Sequence, residues 1–159
     1  MFLKAKTSSK NNREVSTRGG FTLIELLVVI TVIGLLSAMV LVGLSGARSK
    51  GRDTRRVADL RNVQNALEVY FNSNNAYPSD TTWSSLETTL INAGIGVSKL
   101  PTDPVNNATY FYGYGASTDG LDYVLSATLE HGNSNLLDDD ADGPVHGVSC
   151  NDPVYCLKL

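Results

Sequence analysis

Basic residues are scarce where acids are plentiful: after Arg61 the chain has only Lys99 and Lys158 against twelve acids, a net of -10. A polyanion such as DNA is repelled by that long C-terminal part, so nucleic acid is an unlikely partner and its contact would fall to the basic segments upstream. Those segments are two. Residues 1–20 carry Lys4, Lys6, Lys10, Arg13 and Arg18 against Glu14, and residues 48–61 carry six cations against Asp53 and Asp59, so each has a net of +4. Only two cysteines occur, Cys150 and Cys156, too few for a thiolate metal cluster and too far apart for a C-x-x-C redox site. They read as a small structural disulfide, which places the C-terminal part in an oxidising compartment. Only two histidines occur, His131 and His146, both in Gly-rich surroundings with no nucleophile at a recognisable spacing, and they read as surface residues. Nothing in the sequence looks catalytic. With 159 residues there is room for one domain and an anchor, and no internal repeat or low-complexity linker divides the chain further.

Charge is also absent from a long stretch near the N-terminus. From Phe21 to Ala47 the only ionisable side chain is Glu25, and residues 26–47 have none. About 20 apolar residues span a bilayer core as a helix, so this run is long enough to cross a membrane. It then turns amphipathic, with Val57, Leu60, Val63, Leu67, Tyr70 and Phe71 at spacings of three and four. The pattern predicts one helix over about 21–72, ended by the breaker cluster Asn72–Asp80 (NSNNAYPSD). A short helix is expected over about 82–93. Two β-rich segments, 108–114 and 122–129, flank Ser117-Thr118-Asp119-Gly120 and predict a hairpin with buried tyrosines. Residues 130–159, rich in Asp, Gly and Asn, read as loop.

The sharpest motif is Arg18-Gly19-Gly20-Phe21-Thr22-Leu23-Ile24-Glu25-Leu26-Leu27. A basic, polar leader meets Gly-Phe, and one carboxylate sits five residues into an apolar helix. This closely resembles the class III signal of type IV prepilins. The resemblance implies cutting between Gly20 and Phe21 by a membrane prepilin peptidase, methylation of the new amino terminus at Phe21, and a role for Glu25 in assembly. A carboxylate in hydrocarbon costs on the order of 2.5–3.5 kcal/mol, so it calls for a partner or a proton. The freed amine of Phe21 on a neighbouring subunit is such a partner; the plainer alternative is that Glu25 snorkels to the interface.

Further along, Tyr77-Pro78-Ser79, Leu100-Pro101-Thr102-Asp103-Pro104, Tyr110-Phe111-Tyr112 and Tyr123-Val124-Leu125-Ser126 look like the major pseudopilin branch of the family, which builds the periplasmic piston of type II secretion. Two features depart from the pattern: many type IV pilins have a proline midway through the transmembrane run, absent here, and the cysteine pair looks more like that of a pilus subunit. The resemblance implies an α+β pilin-like fold, a long N-terminal helix packed on a small antiparallel sheet. It divides the chain into a cleaved cytoplasmic leader (1–20), a transmembrane half-helix (21–47), an amphipathic half-helix (48–72) and a globular head (73–159). It also implies a single-pass inner-membrane precursor that assembles with copies of itself, with minor pilins or pseudopilins and with an inner-membrane platform, into a filament in the periplasm or at the cell surface.

Asp138, Asp140 and Asp142 alternate before Gly143, as at the start of an EF-hand loop, although Ser149 stands where its closing Glu is expected. A solvated acidic loop is the plain reading. The resemblance favours calcium, since pseudopilins of this branch have a calcium site in the corresponding loop; the expected ligands are Asp138, Asp140, Asp142 and the carbonyl of Pro144. The basic stretch Arg48–Arg61 reads as a solvated helix face or as a collar that meets the acidic head of a neighbouring subunit. A rival from another class is an exported calcium- or carbohydrate-binding protein with an ordinary signal peptide, for which Ser45-Gly46-Ala47 offers small residues at a cleavage point. The apolar run is long for such a peptide. Two flanks of similar basic charge leave the positive-inside rule undecided, so the cytoplasmic leader rests on the cleavage motif and the disulfide.

Overall fold

A computed structural model describes residues 19–159, with 41–43 described by their backbone alone. Most of the predicted leader, residues 1–18, lies outside the described residues. The described residues fall into two compact units, divided between residues 41 and 42. Helix α1 (Leu23–Asn74) contributes to both, and each unit is described by itself.

In the first unit the helix is apolar on every side. Its large side chains from Phe21 to Val40 are exposed, none of the most apolar stretch being buried, and among the described residues α1 is the one helix long and apolar enough to cross a membrane. Water would not tolerate such a surface; a bilayer or neighbouring helices would.

In the second unit α1 buries the predicted stripe. Leu60, Val63 and Leu67 are fully enclosed, and Val57, Tyr70 and Phe71 pack at the edge of the same core. The helix ends where Asn75 takes a left-handed conformation (φ 54°) and donates its N–H to the Phe71 carbonyl at 2.7 Å. Helix α2 (Trp83–Asn92) is capped by Thr82, whose hydroxyl accepts from the Ser85 N–H, and it contributes Leu86 and Leu90 to the core.

Strands β1 (Tyr112–Ala116) and β2 (Tyr123–Thr128) form the expected hairpin, closed by Ser117–Gly120 with Gly120 at φ 70°. Side chains alternate across β2. Tyr123, Leu125 and Ala127 join the core that includes α1, whereas Val124 belongs to a smaller cluster with Cys150 and Cys156. The aromatic rings interlock, Tyr77 against Tyr123 at 4.5 Å and Trp83 against Tyr112 at 5.2 Å. Their polar tips are satisfied: Tyr112 donates to Asp59, Tyr114 to the Pro78 carbonyl, and Trp83 to the Pro101 carbonyl.

The last thirty residues correct the expectation of a loop. After a short 3-10 turn at Asn135–Leu137, β3 (Gly143–Val145) and β4 (Val148–Cys150) form a two-stranded ribbon. His146 and Gly147, at φ 45° and 82°, make its two-residue turn. Strand β5 (Val154–Lys158) then pairs antiparallel with β2, so the main sheet runs β1-β2-β5 and β2 is central. The apolar run Val154-Tyr155-Cys156-Leu157 was the available signal, hidden by its shortness and by the Asp/Gly-rich chain before it.

Candidate functional site

Three regions carry charge in unusual places. At the start of α1, Glu25 Oε2 accepts the Thr22 backbone N–H at 2.9 Å and its hydroxyl at 2.7 Å, while the Thr22 hydroxyl accepts the Glu25 N–H at 3.3 Å. This is a capping box, Thr-x-x-Glu, in which each side chain satisfies a backbone donor of the other. Neither assembly nor snorkelling, the two roles the sequence suggests for Glu25, includes this local one. Phe21 precedes the box, with 85% of its surface exposed, and Gly20 has no heavy atom near where a side chain would lie.

The second region is a buried ion cluster on α1 of the 42–159 unit. Arg56 is completely enclosed. Its Nε and Nη2 meet Asp103 at 2.6 and 3.1 Å, and its Nη1 meets Asp53 at 2.7 Å and Glu130 at 2.9 Å. Arg52 adds a two-point contact to Glu130, and the Tyr110 ring lies 4.8 Å from the Arg56 guanidinium carbon. Asp53 also accepts the backbone N–H groups of Glu130 and His131 and contacts the His131 ring at 3.0 Å.

Burial works to lower the Arg56 pKa, but the three carboxylates hold it above the ordinary value. The Arg52 contact pulls Glu130 down to about 2, against its partial burial and with help from Arg56. Burial raises Asp103, yet Arg56 and the Val105 and Asn106 N–H groups lower it overall. The reading of residues 48–61 as one solvated face is thus corrected. Arg56 and Arg52 turn inward to their own head, while Arg48, Lys50, Arg55 and Arg61 remain exposed.

The third region is acidic. Carboxylate oxygens of Asp140, Asp142 and Asp152 lie within 4.8 Å of one another. Asp140 Oδ2 accepts the Cys156 N–H at 2.7 Å, and its Oδ1 is buried with no hydrogen-bond partner. Burial raises the Asp140 pKa, and the charges of Asp142 and Asp152 push the same way. The structure brings together a set that differs from the one expected from spacing. Asp138 caps the end of the 3-10 turn, exposed and outside this group, and exposed Pro144 sits in β3 opposite Ser149. Asp152 takes the third place, brought from the β4–β5 turn by strand pairing that spacing in sequence does not reveal. An orphaned carboxylate oxygen beside two further carboxylates is an all-oxygen donor set of the kind a calcium ion accepts. Cys150 and Cys156 form a disulfide with Cα atoms 5.7 Å apart.

Residues 16–41 match the family model described as the prokaryotic N-terminal methylation motif. Type II secretion system core protein G of Escherichia coli K12 is 36% identical over 82% of this chain and 87% of its own length. The chain belongs to the type IV pilin-like family. The core protein G of Aeromonas hydrophila is 32% identical over 76% of this chain and 95% of its own, and that of Pseudomonas aeruginosa 31% over 79% and 92%. No solved structure matches. This pilin-like chain is a structural subunit of a pilus-like filament, and its likeness to core protein G extends well beyond the N-terminal motif.

Proposed function

We propose that this pilin-like chain is the major pseudopilin of a type II secretion filament, made as an inner-membrane precursor and assembled by helix packing after removal of its leader. The observation that carries this reading is the extent of likeness to core protein G, which spans 82% of the chain rather than the shared N-terminal signal alone. Prepilin peptidase cuts between Gly20 and Phe21 and Phe21 is methylated. The apolar surface from Phe21 to Val40 then serves as membrane anchor and afterwards as the packing surface between copies in a periplasmic filament. Glu25 pairs with the Phe21 amine of a neighbour, and minor pseudopilins and an inner-membrane platform complete the machine. No catalytic step is required of this chain.

Two experiments test it. Intact mass of the membrane-extracted protein is expected to match a chain that begins at Phe21 with one added methyl; a start at Met1 or Ser49 overturns the processing. Deletion of the gene is expected to trap exported proteins in the periplasm. Loss of surface filaments with secretion intact would instead assign the chain to a pilus.

A second reading concerns the head. The unpartnered Oδ1 of Asp140, beside the carboxylates of Asp142 and Asp152, supports calcium held by these three residues. Lys158, the one lysine or arginine of the C-terminal thirty residues, is 3.5 Å from Asp122. Calcium would offset two of the three negative charges and fix the turns that bear them. Titration calorimetry with calcium chloride, wild type against Asp140→Ala, tests this: equal heats from both would leave the cluster merely acidic.

A further inference from the structure

We infer that the Cys150–Cys156 disulfide assembles the cation site, so that calcium affinity depends on the oxidation state of this cysteine pair. The inference rests on the calcium reading above and extends it to a covalent control.

Asp152 lies inside the ring that the disulfide closes, while Asp140 and Asp142 lie outside it. Three links carry Asp152 to them. Cys150 in β4 is opposite Gly143 in β3, the residue that follows Asp142. Cys156 in β5 gives its N–H to Asp140 Oδ2 and its carbonyl to the Ala141 N–H at 3.3 Å. The disulfide joins these two anchor points, and within its ring the Val154 N–H bonds the Asn151 carbonyl at 3.1 Å.

The bond also ties two sheets together. The β3–β4 ribbon has only two strands and makes no ladder with β1-β2-β5. Such a ribbon is marginal without packing support. Its support is the small cluster of Val124, Cys150 and Cys156, with Ala141, Val145, Val148 and Val154 around it. Ala141, which stands between two of the proposed ligands, packs against this cluster, so the segment that bears Asp140 and Asp142 is seated on it. Opening it loosens the ribbon, and mutual repulsion of three uncompensated carboxylates then drives Asp152 away from the other two. With calcium bound, that repulsion becomes attraction to a shared ion.

The coupling is reciprocal. If the disulfide raises calcium affinity, calcium raises the resistance of the disulfide to reduction by the same factor. Reduction by dithiothreitol breaks the S–S bond; the dithiol supplies two electrons and two protons, leaves as its cyclic disulfide, and two cysteine thiols remain.

The test uses the full chain in detergent micelles with calcium chloride as titrant. The oxidised wild type is expected to bind, and the Cys150→Ser, Cys156→Ser double variant to bind roughly 10- to 100-fold more weakly, the usual effect of removing a support behind metal ligands. Asp152→Asn, with its disulfide intact by thiol counting, is expected to lose affinity as well, which separates loss of a ligand from loss of folding. Calcium is further expected to shift the dithiothreitol midpoint of the wild-type disulfide towards higher reductant, and not that of Asp152→Asn. Equal calcium affinity of oxidised protein and double variant, or an unchanged reduction midpoint, overturns the inference and leaves the calcium site standing. No binding by the oxidised wild type overturns the calcium reading itself.

Discussion

Arg56 and Asp103 meet through two parallel contacts, Nε to Oδ2 at 2.6 Å and Nη2 to Oδ1 at 3.1 Å, and neither side chain reaches solvent. The pair joins the middle of α1 to the segment that precedes the β1–β2 hairpin, across 47 residues of sequence. Because Asp53 and Glu130 share the same guanidinium, its removal would leave three carboxylates close together with one charge fewer to hold them. Arg56→Ala is expected to destabilise the head by about 3–5 kcal/mol, the range for a buried pair broken on one side. Arg56→Lys should recover little, since an ammonium cannot make the two-point contact to Asp103 and reach Asp53 and Glu130 as well. Urea unfolding followed by tyrosine and tryptophan fluorescence measures both; a near-neutral Arg56→Ala would show that the cluster contributes little.

The same cluster predicts an acid limit. Glu130 titrates at about 2 in the folded chain against an ordinary value of 4.5. A carboxylate whose folded pKa is depressed stabilises the fold fully above its unfolded pKa, and the contribution is lost as pH falls through the folded one. Asp103, lowered by Arg56 and by its backbone donors despite burial, acts in the same sense. The melting temperature is thus expected to hold from about pH 7 to about pH 5, then to fall steadily towards about pH 2. Glu130→Gln should lower it at neutral pH and flatten the acid slope. An identical slope in wild type and variant would place the acid sensitivity elsewhere.

Two ligand sets, one from spacing and one from the carboxylates that lie together, make the calcium proposal separable by mutation. Asp138→Ala, outside the cluster, is expected to leave the calcium-induced rise in melting temperature unchanged, whereas Asp152→Ala should remove it. At a free calcium concentration about a hundred times Kd, binding to the folded chain alone adds about 2.7 kcal/mol, enough to read in a melt. The reverse pattern, with Asp138→Ala the damaging change, would restore the EF-hand-like set read from spacing.

How much of this was legible in the sequence depended on whether the signal was local. Helix α1, its buried stripe of Leu60, Val63 and Leu67, the Thr82-capped α2 and the hairpin closed at Gly120 all follow from periodicity and turn chemistry within a few residues. The ends were less sharp, since β1 starts at Tyr112 and the expected strand began at 108. Two things were not legible. Strand β5 follows an Asp-Pro step and pairs with β2 rather than with its neighbour in sequence, so no hairpin signal marks it. The pairing of Arg56 with Asp103 and Glu130, across 47 and 74 residues, and the grouping of Asp152 with Asp140, across 12, depend on tertiary folding and leave no periodic trace. Arg56 sits one helical turn before Leu60 on the buried stripe, and that phase was the one available hint that it turns inward.

The last prediction separates two duties of Glu25. Its carboxylate caps α1 through Thr22, and the same carboxylate is proposed to pair with the Phe21 amine of a neighbouring subunit. Glu25→Ala removes both functions, so an assembly defect in that variant alone would not identify the cause. Glu25→Gln divides them: a glutamine oxygen accepts the Thr22 N–H and preserves the capping box, but carries no charge for the amine. Both variants make the helix start less polar to insert, so membrane integration and cleavage after Gly20 are expected to proceed as in wild type. If pairing directs assembly, sheared filaments should be scarce for Glu25→Gln as well as for Glu25→Ala, with mature protein accumulating in the membrane fraction of each. If capping is the sole duty, Glu25→Gln should assemble normally, and Thr22→Ala, which spares the charge and removes the hydroxyl, should be the variant that fails.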